Sequence, residues 1–306
     1  MFVVLFVVYS FWVPETFLVW GTWTSLFDAS ATTALIAVGL VLPFAAGVFD
    51  LAIGAEVGLA AILVAWLLTS GEMPISQAIL LTLVAGAVAG AASGLLIVRA
   101  RIDSFIATLG LSSVLLAAIA WVSNGQQILN LPLEFQSLAT DRHFGVTNAV
   151  LITLVVSLAI WYVLERTPLG RRVYATGSGP EAARLSGVHT TRVIVVCLIA
   201  SGVVAAGAGI LISSRLGVGA PTVGPSYLLP AIAAVFLGST QFKGGRPNVW
   251  GTVIAVYVLA VGVKGLQLGG APVWIPDLFN GAALLIAVGA ARYQGRSRPR
   301  AAARKG

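Results

Sequence analysis

Ten apolar segments follow one another along this chain, and they restrict its fold more than any other feature does. The segments lie at residues 1–13, 31–48, 51–69, 76–98, 104–123, 147–164, 193–213, 227–238, 249–267 and 274–291. Most of them approach the roughly 20 apolar residues that a helix needs to cross a lipid bilayer. Charged residues make up only 9% of the chain, whereas a soluble domain carries about 25%. We therefore expect an all-α polytopic membrane protein of about ten transmembrane helices, with residues 1–291 forming one membrane domain.

Basic residues gather on one side of the membrane if the N-terminus is cytoplasmic and the ten segments alternate in direction. Those that then face the cytoplasm are Arg99, Arg101, Arg166, Arg171, Arg172, Arg184, Arg192, Lys243, Arg246, Arg292, Arg296, Arg298, Arg300, Arg304 and Lys305. Only Arg142, Arg215 and Lys264 fall on the other side. Because cytoplasmic loops are enriched in Lys and Arg, we expect both termini to be cytoplasmic. Residues 292–306 form a basic tail that suits anionic lipid headgroups rather than nucleic acid.

Residues typical of catalytic or metal sites are scarce. Cys197 is the single cysteine, so no disulfide can form within the chain, and its apolar surroundings indicate a packing role. His143 and His189 are isolated, without the spacing of metal ligands. The chain also lacks the Gly-x4-Gly-Lys-Ser/Thr motif that cradles ATP phosphates. We therefore expect a chain that is not an enzyme and binds no cofactor, and any energy from ATP must come from another subunit.

The longest polar stretch assigned to the cytoplasm is residues 165–192. Ser178 and Glu181 have the spacing of a capping box, Pro180 suits a first helical turn, and Gly187 can end a helix in the left-handed conformation. This pattern predicts a helix of about eight residues from Pro180 to Gly187, which is too short to be stable alone. It would present three apolar side chains: Ala182, Ala183 and Leu185. It either docks in a groove of another protein or lies on the chain's own surface.

Small residues and a weak internal similarity appear within the apolar segments. Residues 85–94 and 201–210 are rich in Gly and Ala, which let helix backbones approach closely. A Gly-Leu-Leu-Ile run precedes Arg99 and a Gly-Ile-Leu-Ile run precedes Arg215, and the two runs are predicted to reach opposite sides of the membrane. This arrangement is what an inverted-topology repeat gives, and chance similarity of apolar sequence is the alternative.

Several motifs together resemble one family of membrane proteins. The motifs are FDLAIG (49–54), RIDSFIATLGLSS (101–113), GQQI (125–128), RTPLGRRVYATGSGPEAARLSGV (166–188) and PTVGPSYLLPAIAAVFLGSTQFKGGRPNVWGT (221–252). In order and spacing they are similar to elements of the permease subunits of bacterial ABC importers for ribose and related monosaccharides. The resemblance covers roughly residues 31–291.

The resemblance implies a function, a location and partners. The chain would be a homodimeric or heterodimeric permease of the bacterial inner membrane that moves a monosaccharide or similar small polar solute by alternating access. Its partners would be ATPase subunits, which hold ATP and Mg²⁺, and an extracytoplasmic solute-binding protein. The residues that the resemblance assigns to a cytoplasmic ATPase-coupling helix and its approach are Gly177, Pro180, Glu181, Ala182, Ala183, Arg184, Leu185, Ser186 and Gly187.

Departures from the family pattern fall at positions that would contact a substrate, so the resemblance does not identify the solute. The departing positions are Val48, Phe49, Asp103, Ser104, Leu228, Leu229 and Pro230. One alternative is a related importer permease for branched-chain amino acids or nucleosides. Another is an ion-coupled secondary transporter, which would need paired ionisable residues near the middle of the membrane.

Two carboxylates, Asp50 and Glu56, lie at or within predicted spans. A carboxylate at membrane depth costs about 2.5–3.5 kcal/mol and usually lines a cavity or meets a partner. We expect Asp50, at the junction of two spans, to be solvated or to accept the free N–H groups of residues 52–54. Glu56 is expected to face the bundle interior or a dimer seam. Besides these two, the polar candidates for a translocation path are Thr108, Ser112, Asn124, Gln126 and Gln127.

Overall fold

The computed structural model of the protein describes residues 2–143, 145–241 and 245–296. Within these ranges the chain forms fourteen helices and one two-stranded antiparallel hairpin. The helices are α1 (Phe2–Trp12), α2 (Pro14–Phe17), α3 (Trp20–Ala45), α4 (Ile53–Thr69), α5 (Ile75–Val98), α6 (Ser104–Ser123), α7 (Leu133–Thr140), α8 (Asn148–Arg166), α9 (Pro168–Ser178), α10 (Pro180–Leu185), α11 (Thr190–Leu216), α12 (Pro225–Gln241), α13 (Val249–Leu268) and α14 (Ile275–Arg296). The hairpin consists of β1 (Arg142–His143) and β2 (Val146–Thr147).

Each of the ten predicted apolar segments coincides with one helix. Among the described residues, six helices are long and apolar enough to cross a membrane: α3, α5, α6, α8, α11 and α13. Four shorter apolar helices, α1, α4, α12 and α14, match the remaining segments. The prediction of an all-α polytopic membrane protein is confirmed, whereas crossing of the bilayer by the four shorter helices stays a prediction.

The structure differs from the predicted boundaries in three places. Helix α3 begins at Trp20, well before residue 31, because the polar and small residues that precede its apolar run continue the same helix. Helices α2, α7 and α9 were not predicted as separate elements. Helix α14 continues to Arg296, so the first residues of the predicted basic tail are helical. The rest of that tail, like Lys243, lies outside the described residues.

Helix α11 forms the centre of the molecule and packs against α3, α4 and α5. Its contact with α5 is a backbone contact at small residues, because a Cβ atom on Gly90 would lie 2.2 Å from the carbonyl oxygen of Leu198. A Cβ atom on Gly202 would lie 2.3 Å from the carbonyl oxygen of Gly86. The close helix approach expected from the small-residue stretches is therefore confirmed at this contact.

The interhelical connections meet in two groups, one at each end of the bundle. In the first group, the Tyr174 hydroxyl donates to the carbonyl oxygen of Pro247 over 3.0 Å, and the loop after α3 contacts α9. In the second group, Arg142 pairs with Asp28 at 3.3 Å, and Ile128 pairs with Gly219 in an isolated bridge. Each of these contacts joins residues that the distribution of basic residues assigns to the same side of the membrane.

Candidate functional site

Two consecutive helices, α9 and α10, make up the polar segment between α8 and α11. Pro168 occupies the first turn of α9, and Pro180 occupies the first turn of α10. Proline lacks a backbone N–H, but N–H groups in a first turn have no partner within the helix, so no helical hydrogen bond is lost. The predicted capping role of Ser178 is wrong, since the N-cap of α10 is Gly179 and makes no side-chain bond. Ser178 is the last residue of α9, and its hydroxyl donates to the carbonyl oxygen of Tyr174.

Helix α10 is shorter than predicted, but the glycine expected to stop it has the predicted conformation. It spans six residues, from Pro180 to Leu185, rather than about eight. Gly187 follows with φ of +83°, the left-handed conformation that glycine adopts without a steric penalty. The turn after α10 then leads directly into α11.

The outer face of α10 is open. The Leu185 side chain is 90% exposed, whereas Ala183 is only 5% exposed and packs against the chain itself. The other residues assigned to coupling, all of them accessible, are Gly177, Pro180, Glu181, Ala182, Arg184, Ser186 and Gly187. Ala183 therefore packs α10 against the rest of the chain, whereas the apolar side chain of Leu185 is exposed.

Helix α9 rests on the point where α3 ends. A Cβ atom on Gly177 would lie 2.2 Å from the carbonyl oxygen of Ala45 and 3.0 Å from the backbone nitrogen of Gly47. Gly47 itself has φ of +82°, so the chain turns sharply there. Only glycine at residue 177 allows this backbone contact, which connects the segment that carries α10 to the break between α3 and α4.

A hydrogen bond joins α9 to the segment that precedes α13. The Tyr174 hydroxyl donates to Pro247, and burial, with a smaller effect of the Glu165 carboxylate, raises the pKa of Tyr174 to about 12. The hydroxyl therefore keeps its proton at any physiological pH. Helix α9 thus contacts α8, α11, the end of α3 and the segment just before α13.

The break between α3 and α4 is held by a set of hydrogen bonds around Asp50. The carboxylate of Asp50 accepts from the Ala52 backbone N–H at 3.2 Å and from the Ser201 hydroxyl at 2.9 Å. Ser201 lies near the middle of α11, so the break enters deep into the bundle. Asp50 is buried, which excludes the expected solvated form and agrees with the expected capping of freed N–H groups.

Helix α6 supplies two more bonds to the same break. The Ser104 hydroxyl accepts from the Phe49 N–H at 3.2 Å, and the Thr108 hydroxyl accepts from the Leu51 N–H at 3.1 Å. Thr108 also donates to the carbonyl oxygen of Ser104. Inside an apolar bundle, a backbone N–H that is not part of a helix needs another acceptor. The side chains of Ser104 and Thr108 provide acceptors for the break, and this makes the break possible.

A second non-helical segment meets the break from the other direction. After α11, residues 217–224 run along α4, and a Cβ atom on Gly224 would lie 2.2 Å from the carbonyl oxygen of Gly54 and 2.7 Å from the Cα atom of Gly58. Helix α12 starts at Pro225, so the first turns of α4 and α12 lie next to each other inside the bundle.

Glu56 lies in the first turn of α4, beside this contact. Its side chain is only 2% exposed, and neither carboxylate oxygen has a hydrogen-bond partner among the described residues. Of the two expected positions, the structure places Glu56 in the interior of this chain rather than at an exposed seam.

The remaining path candidates do not come together. Thr108 is buried near the start of α6 and serves the break, whereas Ser112 lies about one turn further along the same helix. Asn124 is the left-handed C-cap of α6, with φ of +50°, and Gln126 and Gln127 are exposed in the loop that follows. Thr108 and Asn124 are sixteen positions apart, about 24 Å along a helix, so they belong to opposite ends of the bundle.

Ser104 and Ser201 are functional candidates that sequence reasoning missed. In the sequence, Ser104 stands out only as a departure from a family motif, and Ser201 lies in a stretch of small residues that indicates helix packing. For Ser201 the available signal is a hydroxyl in the middle of a largely apolar helix, because such a group needs a partner inside the membrane. Ser104 begins α6 and carries no such signal. Within the described ranges, no three His, Cys, Asp or Glu side chains gather as metal ligands would.

Comparison with known proteins identifies relatives along most of the chain. Residues 22–288 match the model of a family described as branched-chain amino acid transport system / permease component. The chain is 35% identical over 260 residues to the ribose import permease protein RbsC of Bacillus subtilis (strain 168), covering 84% of this chain and 80% of that protein. No solved structure gives a significant match.

Two further relatives show the same pattern. The chain is 32% identical over 271 residues to the ribose import permease protein RbsC of Haemophilus influenzae, covering 87% of this chain and 83% of the relative. It is 32% identical over 260 residues to the autoinducer 2 import system permease protein LsrD of Escherichia coli (strain K12), covering 83% and 78%. The apolar helices, the buried break and these matches agree. The chain therefore belongs to this permease family, as the permease subunit of an ABC importer in the bacterial inner membrane.

Proposed function

We propose that the chain carries a monosaccharide or a similar small polar solute into the cell by alternating access, driven by ATPase subunits that bind α10. Two relatives are named as ribose import permeases and one as an autoinducer 2 import permease, which supports a sugar-type solute. The chain offers no ATP-binding motif of its own. An extracytoplasmic binding protein would deliver the solute at the opposite end of the bundle.

The open face of α10 is the observation that carries the proposal. A 90% exposed leucine on a helix too short to be stable alone is suited to a groove in a partner. Because α9 precedes α10 and touches the backbone at Ala45 and Gly47, movement of a bound ATPase would reach the buried break without an intervening flexible loop. The coupling residues from Gly177 to Gly187 would thus act as one unit.

The proposed orientation has ten spans, with both termini in the cytoplasm. It is supported by the excess of basic residues at the end that contains α9 and α10 and by contacts between residues that are assigned to the same side. In this orientation residues 165–192 form the cytoplasmic coupling loop, and residues 292–306 form a basic cytoplasmic tail.

The proposed two-state element is the pair of breaks at residues 46–52 and 217–224. Their opposite directions are in keeping with an inverted repeat, in which paired discontinuous helices surround a path near the middle of the membrane. Asp50 and Glu56 would set the equilibrium between the two states at this element. Ser112 would contribute to the inner part of the path, Thr108 would hold the break beside it, and Asn124, Gln126 and Gln127 would lie at the outer entrance. A second copy of the chain, or a related permease, would complete the path.

Replacement of Leu185 by Ser tests ATPase docking. We expect the amount of ATPase that co-purifies with the permease to fall about tenfold, because an apolar anchor in a partner's groove often dominates binding. Stability of the permease should not change, since Leu185 makes little contact with its own chain. Leu133→Ser is the matched control, because Leu133 is 81% exposed at the other end of the bundle. Undiminished ATPase recovery with Leu185→Ser would remove α10 as the docking element.

Reconstitution tests the transport mechanism. Liposomes that contain the permease, its ATPase and its solute-binding protein should take up the solute of that binding protein only when ATP is present on the ATPase side. The permease alone should take up none under a proton or sodium gradient. Gradient-driven uptake by the permease alone would show a secondary transporter instead.

A further inference from the structure

A cavity of about 590 Å³ lies between α8, α9 and α11, within the size range of pockets that hold small molecules. Its walls are mainly aliphatic, with Ile160, Val163, Val193 and Val196 among the lining side chains. Val163 and Val196 are also exposed, so the cavity opens sideways, toward the surface of the bundle that lipid covers.

The polar groups of the cavity are collected at one end and are basic. Arg172 on α9 and Arg192 at the start of α11 line this end, together with His189. Both arginines are exposed, and neither forms an ion pair with any residue that the structure describes. From Arg192 to Ala200 the α11 wall extends about 12 Å, at about 1.5 Å per residue. The cavity therefore has a cationic mouth and an apolar body.

We infer that this cavity binds an anionic phospholipid, with its phosphate between Arg172 and Arg192 and one acyl chain along α8 and α11. Anionic headgroups attract basic pockets between membrane helices, and guanidinium groups form paired hydrogen bonds with phosphate oxygens. The aliphatic walls complement an acyl chain, whereas the water-facing end supplies the charge. A protein partner would not need a basic end at the membrane surface followed by an aliphatic cavity deeper in the membrane.

The position of the cavity connects the lipid to the proposed coupling helix. Gly187, Val188 and His189, which join α10 to α11, line the cavity. A bound lipid would therefore support the segment that follows α10. This consequence rests on the proposed function, but the lipid site itself depends only on the membrane location of the chain.

Photo-crosslinking tests the site directly. The purified permease is reconstituted in phosphatidylcholine vesicles that contain a phosphatidylglycerol probe with a photoreactive acyl chain, and labelled peptides are identified by mass spectrometry. We expect labelling at Ala159, Val163, Val196 and Ala200, and much weaker labelling of these positions by the matching phosphatidylcholine probe. Equal labelling by both probes would overturn the proposal, because the site would then not distinguish charge.

Two pairs of variants separate the charge from the shape of the cavity. Arg172→Gln with Arg192→Gln should lower phosphatidylglycerol labelling about tenfold, since each basic residue adds to the attraction for anionic lipid. Arg99→Gln with Arg171→Gln, which removes two arginines of the same end that do not line the cavity, should leave it unchanged. Ala159→Phe should block labelling while both arginines remain, and Ala117→Phe, at an exposed position of α6, is its control.

The outcomes do not depend on transport. Labelling that persists in both the charge variant and Ala159→Phe would refute the site even if the importer assignment holds. Loss of ATPase binding by Leu185→Ser would leave the lipid result unaffected. Size-exclusion profiles show which variants are folded, and Ala159→Phe keeps the proposal testable if the double arginine variant does not fold.

Discussion

Asp50 and Gly177 show how single residues support a break inside an apolar bundle. Asp50 supplies acceptors for a backbone N–H and for the hydroxyl of Ser201, both of which would otherwise be unpaired. Gly177 contributes by having no side chain, because its Cα lies against the backbone of Ala45 and Gly47. Asp50 provides hydrogen-bond partners for buried polar groups, and Gly177 lets the backbone of α9 contact the end of α3.

Replacing Asp50 by Ala should destabilise the permease and abolish uptake. Each buried polar group that loses its partner costs about 1–3 kcal/mol, and two groups lose theirs. Asp50→Asn, which keeps one carbonyl oxygen, should retain more stability than Asp50→Ala. Thermal unfolding in detergent and uptake in liposomes measure the two effects, with Glu72→Ala at an exposed position as the control. Full uptake and normal yield for Asp50→Ala would show that the carboxylate does not hold the break.

Replacing Gly177 by Ala should separate α9 from the end of α3. The added Cβ would meet the carbonyl oxygen of Ala45 at 2.2 Å, so the helix has to shift. We expect ATP-driven uptake to fall by tenfold or more, on the order of the 1.4 kcal/mol that a tenfold change represents, while the ATPase still binds. Gly207→Ala is the matched control, because a Cβ there meets nothing within 4 Å. Equal uptake by the two variants would contradict a coupling role for this contact.

At the scale of elements, the segment between α8 and α11 shows where sequence patterns succeed and fail. The stop at Gly187 was predictable, because few residues other than glycine adopt a left-handed conformation after a helix. The predicted N-cap at Ser178 is wrong, because Ser and Glu three positions apart also occur where no cap forms. The helix itself starts at Pro180, as predicted. The missed element was α9, whose Gly and polar residues lower its intrinsic helix propensity and whose stability comes from packing against α3, α8 and α11.

The bond from Tyr174 to Pro247 fixes α9 relative to α13, and Tyr174→Phe tests it. Loss of one hydrogen bond should lower stability by about 0.5–1.5 kcal/mol. The folded pKa of Tyr174 is about 12, raised from 10.0, so its contribution is complete below pH 10 and decreases as the pH rises from 10 to 12. Thermal unfolding of both proteins at several pH values should show their difference decreasing over that interval. A constant difference would mean that the hydroxyl is not buried.

At the scale of the whole molecule, the two groups of connections predict two sets of accessible positions. Single cysteines at Ser186 and Arg101, in a Cys197→Ala background, should be protected from a membrane-impermeant thiol reagent in spheroplasts. Cysteines at Gln126 and Glu134 should react. Inverted vesicles should give the opposite result, which controls for buried sites. Labelling of Ser186→Cys in spheroplasts would reverse the proposed orientation.

The architecture was more predictable than the site. The positions of the apolar segments alone predict ten of the helices, because a helix that crosses a bilayer needs a long run of apolar residues. The pairing of Asp50 with Ser201, and of Thr108 with Leu51, could not be read from the sequence, since these bonds join residues 151 and 57 positions apart. Thr108 was expected along a path, and the structure shows what it binds: a backbone N–H of the break.

The separation of Asp50 and Ser201 along the chain determines how long after Asp50 the ribosome adds Ser201. The two residues are 151 positions apart, and ribosomes add about 5–20 residues per second. Ser201 is therefore made roughly 8–30 s after Asp50 at those rates. During this interval Asp50 lacks the hydroxyl with which it pairs in the folded structure. The first half of the permease must be kept from misfolding while the second half is translated, so slow elongation between the two residues would lengthen its most vulnerable period.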